Sequence, residues 1–221
     1  MIQRFYQTFL DEYKEYGPVT LGPLSSFDWR HDPRHILFTL SRYKFCAKLL
    51  SGKKSVLEIG CGDGIGTSIL LQEVDKLHCI DLEPQLIEDN IKRNSYPDRL
   101  SFECLNLVEQ SPGRVFDAAL ATDVVEHIPA DKEDIFITNI TSVLTSNSIL
   151  ILGTPNITSQ KYASKQSTEG HVNPKNYLGL RGLLSYYFKN VLLFSMSDEV
   201  VHTGFYPMAQ YLFGVGIGKK T

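Results

Sequence analysis

The sequence predicts a doubly wound α/β domain on one mostly parallel sheet. Short apolar runs alternate along the chain with segments of helical period. The first run, Val56, Leu57 and Ile59, enters a glycine-rich turn. The second run ends at an acid, Asp81, about 20 residues on, where nucleotide-binding α/β folds hold the two ribose hydroxyls.

Composition bounds the answer. Of 221 residues, 43% are hydrophobic, enough for the core of one domain. The net charge of −3 and isoelectric point of about 6.1 advertise no basic field for nucleic acid. Cys46, Cys61, Cys79 and Cys104 are scattered and form no C-x-x-C, so reduced thiols and a cytoplasmic location are expected. The charged start (Arg4, Asp11, Glu12, Lys14, Glu15) does not read as a signal peptide, and no run is apolar for long enough to span a bilayer. The expected organisation is one domain: a helical cap over residues 1–50, a cofactor-binding core over 51–153, and a lid loop with the last part of the sheet over 154–221.

Residues 2–16 read as an amphipathic helix with Ile2, Phe5, Phe9 and Tyr13 on one face, flanked by Tyr6 and Leu10, and ended by Gly17-Pro18. Residues 18–33 read as a loop. A second helix spans 33–50, with Asp32 as N-cap and Pro33 in its first turn. The glycine turn leads into a helix over 65–74, and Glu83-Pro84 opens another to Asn94. Strands are predicted at 100–104, 115–121, 148–153, 191–196 and 211–217, with helices at 132–144 and 174–188. With the first two, this makes seven strands. Residues 154–173 form a polar loop long enough to be a lid, and 198–210 form another loop.

The glycine turn reads Val56-Leu57-Glu58-Ile59-Gly60-Cys61-Gly62-Asp63-Gly64. It fails the dinucleotide pattern G-x-G-x-x-G, which needs glycine at Ile65 or Thr67. It closely resembles motif I of the class I S-adenosylmethionine-dependent methyltransferases, V-L-[DE]-x-G-C-G-x-G. The resemblance carries specific motifs over residues 55–153 and only element order elsewhere. It implies a seven-stranded sheet whose last strand inserts antiparallel. It also implies S-adenosylmethionine as cofactor, held by Glu58, Gly60, Cys61 and Gly62, with Asp81 on the ribose and Leu82 against the adenine. The family's usual acid for the adenine amino group is here Asn106, beside Leu107, and an amide oxygen accepts as well. Related enzymes meet the donor carboxylate with an arginine or tyrosine placed like Arg42; a solvated helix face is the other reading of Arg42. Asp123, just past the fourth strand, lies at the carboxyl edge where ligands bind.

Methyl transfer from sulfur is an in-line displacement, and an alcohol or phenol must also lose its proton. His127 is the candidate general base, a histidine being poised near neutral pH. Its alternative is a structural or cofactor-packing role. The leading expectation assigns no metal ligands. Asp123, Glu126, His127 and His171 nevertheless resemble the carboxylate-and-histidine set of small-RNA 2′-O-methyltransferases, and the core of that set resembles ubiquinone-pathway O-methyltransferases. In those enzymes a divalent ion lowers the pKa of the acceptor hydroxyl. His31, His171 and His202 are expected to converge over the pocket, with Tyr162, Tyr177 and Tyr206 lining it. His35 and His78 are given no role, and Asp117 reads as a turn acid. The leading function is an O-methyltransferase of a small molecule bearing a sugar or aromatic hydroxyl. N-methylation, RNA or protein methylation, and a non-catalytic donor-binding module stand as alternatives. No membrane or nucleic-acid partner is expected, and the oligomeric state is left open.

Overall fold

The computed structural model describes residues 2–162 and 165–220, with backbone alone at 2–4 and 165–167. The side chain of Ile2, and Ala163 and Ser164 of the predicted lid, lie outside the described residues.

Three helices precede the sheet: α1 (Ile2–Tyr16), α2 (Pro23–His31) and α3 (Pro33–Leu49). The parallel core follows as β1 (Ser55–Ile59), α4 (Thr67–Leu70), β2 (Lys76–Asp81), α5 (Pro84–Arg93), β3 (Leu100–Cys104) and β4 (Phe116–Thr122). A 3₁₀ turn, Val125–His127, leads to α6 (Glu133–Ser142) and β5 (Leu144–Pro155). A second 3₁₀ turn (Ile157–Tyr162) then precedes α7 (Lys165–Gly170), α8 (Tyr177–Tyr187), β6 (Phe188–Ser197), β7 (Val200–His202) and β8 (Tyr211–Lys219).

The strands form one sheet in the order β3-β2-β1-β4-β5-β8-β6-β7. Pairings from β3 to β5 are parallel. β8 inserts antiparallel between β5 and β6. The chain winds outward from β1 to β3, then returns to lay β4 on the other side of β1. Connections therefore diverge at the carboxyl ends of β1 and β4, which opens a crevice there.

The strand pleat feeds two apolar layers. In β4, Ala119 and Ala121 join one layer while Ala118 and Leu120 join the other. The first layer packs under α6 and α8 through Phe136, Ile137, Ile140, Leu180 and Leu184. The second packs under α3 and α4 through Tyr43, Cys46, Ala47 and Leu70. Among the described residues, no helix is long and apolar enough to cross a membrane.

Five predicted features are corrected. Residues 23–31 are helical, not loop, because Pro23 occupies the first helical turn, where its missing N–H costs nothing. The sheet has eight strands, since Val200–His202 pairs with β6 after a left-handed turn residue, Asp198 (φ 51°). The helix after the glycine turn is regular only over Thr67–Leu70. The lid segment is not structureless: β5 runs on through Pro155, and a 3₁₀ turn and α7 follow. The apolar face predicted for α1 faces solvent, with Phe5, Tyr6, Phe9, Leu10 and Tyr13 all exposed.

α3 seats on the glycine turn through one close approach. A Cβ on Gly66 would lie 2.1–2.2 Å from the Tyr43 ring atoms. That ring is buried and rigid, so Gly66→Ala is expected to destabilise the fold by about 1–3 kcal/mol, read as a lower urea midpoint.

Candidate functional site

A cavity of about 520 Å³ occupies the crevice, walled by the β1 glycine turn, the ends of β2 and β4, the loop after β3, and α2 and α3. The turn is fixed by backbone chemistry. Gly60 N and Cys61 N donate to the Ile80 carbonyl at 2.8 and 3.1 Å, and Gly62 N donates to Asp81 Oδ2 at 2.8 Å. Gly60 has φ +70°, and a Cβ there would strike Val124 Cγ2 at 2.3 Å, so only glycine brings the turn this near the β4 loop.

Asp81 is held from both sides, because its Oδ1 accepts from Glu83 N at 3.0 Å. A carboxylate has about four lone-pair directions, so capacity remains for two hydroxyls. Beside it Leu82 is exposed and lies in the cavity wall, an apolar side chain awaiting a flat partner. Leu107 is buried in the same wall. Asn106 also lines the cavity, but its amide is folded back: Oδ1 accepts from Val108 N and Nδ2 donates to Glu109 Oε1, each at 3.0 Å.

Glu58 and Arg42 do not reach the cavity wall. Glu58 shares its strand face with Val56 and points toward α3. It accepts from Tyr43 Oη at 2.6 Å and Cys79 Sγ at 3.1 Å. Burial pushes its carboxyl up to about 7, against the pull of those two donors. Arg42 gives its Nη1 to Asp123 Oδ2 at 2.7 Å and lies 3.9 Å over the Tyr211 ring. Asp123 adopts φ +58° and donates its N–H to Tyr211 Oη at 3.2 Å and to the Gly153 carbonyl at 3.0 Å. The expected partner of Arg42, a donor carboxylate, is replaced here by an intramolecular one, while Asp123 itself stands in the cavity wall.

His127 also stands in that wall. Its Nδ1 lies 2.9 Å from the Gly170 carbonyl, an acceptor, so Nδ1 carries the proton and Nε2 keeps a lone pair. The His171 ring packs edge-on at 5.1 Å, with its Nδ1 2.9 Å from Gln160 Nε2. Burial, then the neighbouring His127, lowers the His171 pKa. Glu126 is fully buried; its Oε2 accepts from Thr154 Oγ1 at 3.0 Å, and its Oε1 has no partner among the described residues. Burial, reinforced by the Asp123 charge, raises its carboxyl to about 8. One ligand atom each from Glu126, His127 and His171 lies within 4.8 Å of the others.

The other expected lid residues do not converge on the cavity. His31 packs on Phe27 of α2, and His202 meets Ser197 and the Thr203 carbonyl at the sheet edge. Tyr177 stacks on Tyr206 at 4.7 Å, and Tyr162 is exposed. Asp117 accepts from the Lys54 and Ser55 backbone N–H groups, a structural duty.

The cavity also has a roof, of which only Tyr43, beside Arg42, stands out in the sequence. Leu24, Ser25 and Asp28 of α2 and Thr39 and Tyr43 of α3 all line the cavity. Asp63 pins α2 down by accepting from Ser25 N at 2.7 Å and Ser25 Oγ at 3.0 Å. The signal that could have found these residues was Gly22-Pro23 opening a helix with polar and apolar residues one turn apart.

The wall contains Asp28, Asp63, Asp81 and Asp123 and, among the described residues, no lysine or arginine. Such a wall disfavours phosphates and suits a ligand with ribose hydroxyls and positive charge. The methyltransferase-domain family matches residues 57–150, which span this turn, Asp81 and the β4 loop. This stretch carries the signature of a methyltransferase domain. The fold agrees with solved relatives. The N-methyltransferase NodS from Bradyrhizobium japonicum WM9, in complex with S-adenosyl-L-homocysteine, shares 18% identity over 86% of this chain and 91% of its own, with a TM-score of 0.61. The methyltransferase domain of bacterial CtHen1-C shares 18% over 82% and 99%, with a TM-score of 0.67. The plantazolicin methyltransferase BpumL, also in complex with SAH (S-adenosylhomocysteine), shares 16% over 88% of each chain, with a TM-score of 0.65. No curated protein sequence matches the chain.

Two outcomes are expected of this site. Asp81→Ala, which removes the carboxylate offered to a ribose together with the clamp on Gly62, should weaken S-adenosylhomocysteine binding about tenfold or more in calorimetry. Glu58 carries a folded-state pKa of about 7 against an ordinary value of 4.5. The native state therefore keeps a proton that the unfolded chain releases; this contribution is complete below about pH 4.5 and is lost as pH rises through 7. Glu58→Gln, which keeps an oxygen for Tyr43, should gain about 2 kcal/mol relative to the parent between pH 5 and 8 in urea unfolding.

Proposed function

We propose that the chain transfers the methyl group of S-adenosylmethionine to a hydroxyl of a small molecule, with His127 as general base. S-adenosylmethionine is the donor: Leu82 and Leu107 would flank its adenine, and Asp81 would hold its ribose. The observation that carries the acceptor half is His127 in the cavity wall with Nδ1 committed to Gly170 and Nε2 free to accept. In the transfer the acceptor oxygen attacks the methyl carbon, the carbon–sulfur bond breaks, and the hydroxyl proton passes to Nε2. The product is an uncharged thioether, which leaves an acidic wall more readily than a sulfonium does. An acidic wall also argues against a polyphosphate acceptor. Solved structures of similar fold include an N-methyltransferase and a plantazolicin methyltransferase; the base assignment here favours oxygen as the acceptor atom.

The test is His127→Ala. Turnover on an accepted substrate should fall about 100-fold or more while S-adenosylhomocysteine affinity stays within about twofold. Full retained turnover would leave positioning alone as the mechanism.

A second reading rests on its own observation. Glu126 presents a buried, unpartnered Oε1 beside His127 and His171, which is the donor chemistry of a divalent-ion site. Asp123, committed to Arg42, is not part of that set. A bound divalent ion would lower the pKa of the acceptor hydroxyl. His171→Ala separates the readings. Under the base reading it changes turnover less than about threefold. Under the metal reading it abolishes turnover, excess Mg²⁺ or Mn²⁺ restores part of it, and a chelator silences the parent enzyme.

A further inference from the structure

Among the carboxylates in the cavity wall, three are already employed. Asp63 takes the Ser25 N–H and hydroxyl, Asp81 takes Gly62 N and Glu83 N, and Asp123 takes Arg42. Asp28 is different. It is half-buried, it faces the cavity from α2, and among the described residues no hydrogen bond or ion pair reaches its carboxylate. A half-desolvated carboxylate without a partner is costly unless something cationic meets it.

Its position is fixed, not floppy. Ser25, three residues earlier on the same helix, is fastened to Asp63. Gly22 abuts Asp63 so closely that a Cβ there would lie 2.5 Å from Asp63 Cβ. Leu24 comes within 3.3 Å of where a Gly62 Cβ would stand. The face of α2 that carries Leu24, Ser25 and Asp28 therefore roofs the glycine turn.

The donor's layout follows from the same wall. With adenine at Leu82 and Leu107 and ribose at Asp81, the amino-acid arm would extend over the glycine turn toward the roof of α2 and α3. That arm ends in an α-ammonium. We propose that Asp28 is a donor-binding residue whose carboxylate receives the α-ammonium of S-adenosylmethionine. This rests on the donor assignment above and adds to it a residue outside the matched domain. It also explains why the wall holds no lysine or arginine among the described residues: a fixed cation there would compete for Asp28 and repel both the ammonium and the sulfonium.

The experiment compares two probes by calorimetry. S-adenosylhomocysteine carries the amino-acid arm; 5′-methylthioadenosine keeps the nucleoside and sulfur but lacks that arm. Asp28→Asn preserves shape and removes charge. It should cost about tenfold or more in S-adenosylhomocysteine affinity and leave 5′-methylthioadenosine within about twofold. Equal loss for both probes would overturn the proposal, since it would show that Asp28 merely shapes α2. No loss for either, or a raised KM for the acceptor alone, would also overturn it. A parent protein that binds 5′-methylthioadenosine but shows no gain from the amino-acid arm would sink the Asp28 assignment and leave the donor nucleoside in place. A parent that binds neither probe would defeat the donor reading and this proposal together.

Discussion

One carboxylate joins the two strand ends on which the site depends. Asp81, at the end of β2, accepts the Gly62 N–H of the turn that leaves β1, while its other oxygen takes Glu83 N at the start of the next helix. The acid that would hold a ribose is thus the acid that shapes the glycine turn. The turn in turn requires glycine at position 60, because the β4 loop presses Val124 against it. Strand ends β1, β2 and β4 are locked into one crevice, and loss of the Asp81 charge would be felt in all three. Charge-assisted hydrogen bonds of this kind are roughly twice as strong as neutral ones, which is why one side chain suffices.

Around this clamp the molecule segregates its charges. Acids with fixed partners or free oxygens face the cavity, whereas Glu58 and Glu126 are buried behind it, where desolvation favours their neutral forms. Arg42 is withheld from the cavity by Asp123 and Tyr211. The result is a space with hydroxyl acceptors, apolar surfaces and four aspartates, which suits a cationic nucleoside better than a phosphorylated one. The proposed acceptor side is built separately, from the 3₁₀ turn after β4 and the segment that brings Gly170 and His171 to it. The residues proposed for donor recognition and for proton removal therefore lie on different parts of the chain.

Legibility followed locality. The glycine turn, Asp81 and Leu82 were readable because each is dictated by neighbours in sequence: positive φ demands glycine, and the acid closes an apolar strand. Parallel β1, β2 and β5 were readable from apolar runs. The inward turn of Glu58 was present in strand parity, since it shares a face with Val56, but the motif resemblance drew it toward the donor. Asn106 folding onto Val108 is an Asx turn, also a local signal. The Arg42–Asp123 pair had no such signal, because 81 residues separate its members. α2 reads as loop from sequence because Gly22, Pro23, Ser25 and Ser26 are turn formers as well as helix starters. The three-residue β7 is too short to show a period.

If the acidic wall sets selectivity, this crevice takes a phosphate-free adenosyl amino acid in preference to phosphorylated nucleotides. Parallel calorimetric titrations of the whole protein with S-adenosylhomocysteine, ATP and NAD at one ionic strength test it directly. The account predicts a single saturable site for S-adenosylhomocysteine and no measurable heat for the two phosphorylated nucleotides. Tighter binding of ATP or NAD, or the absence of any S-adenosylhomocysteine binding, would contradict it.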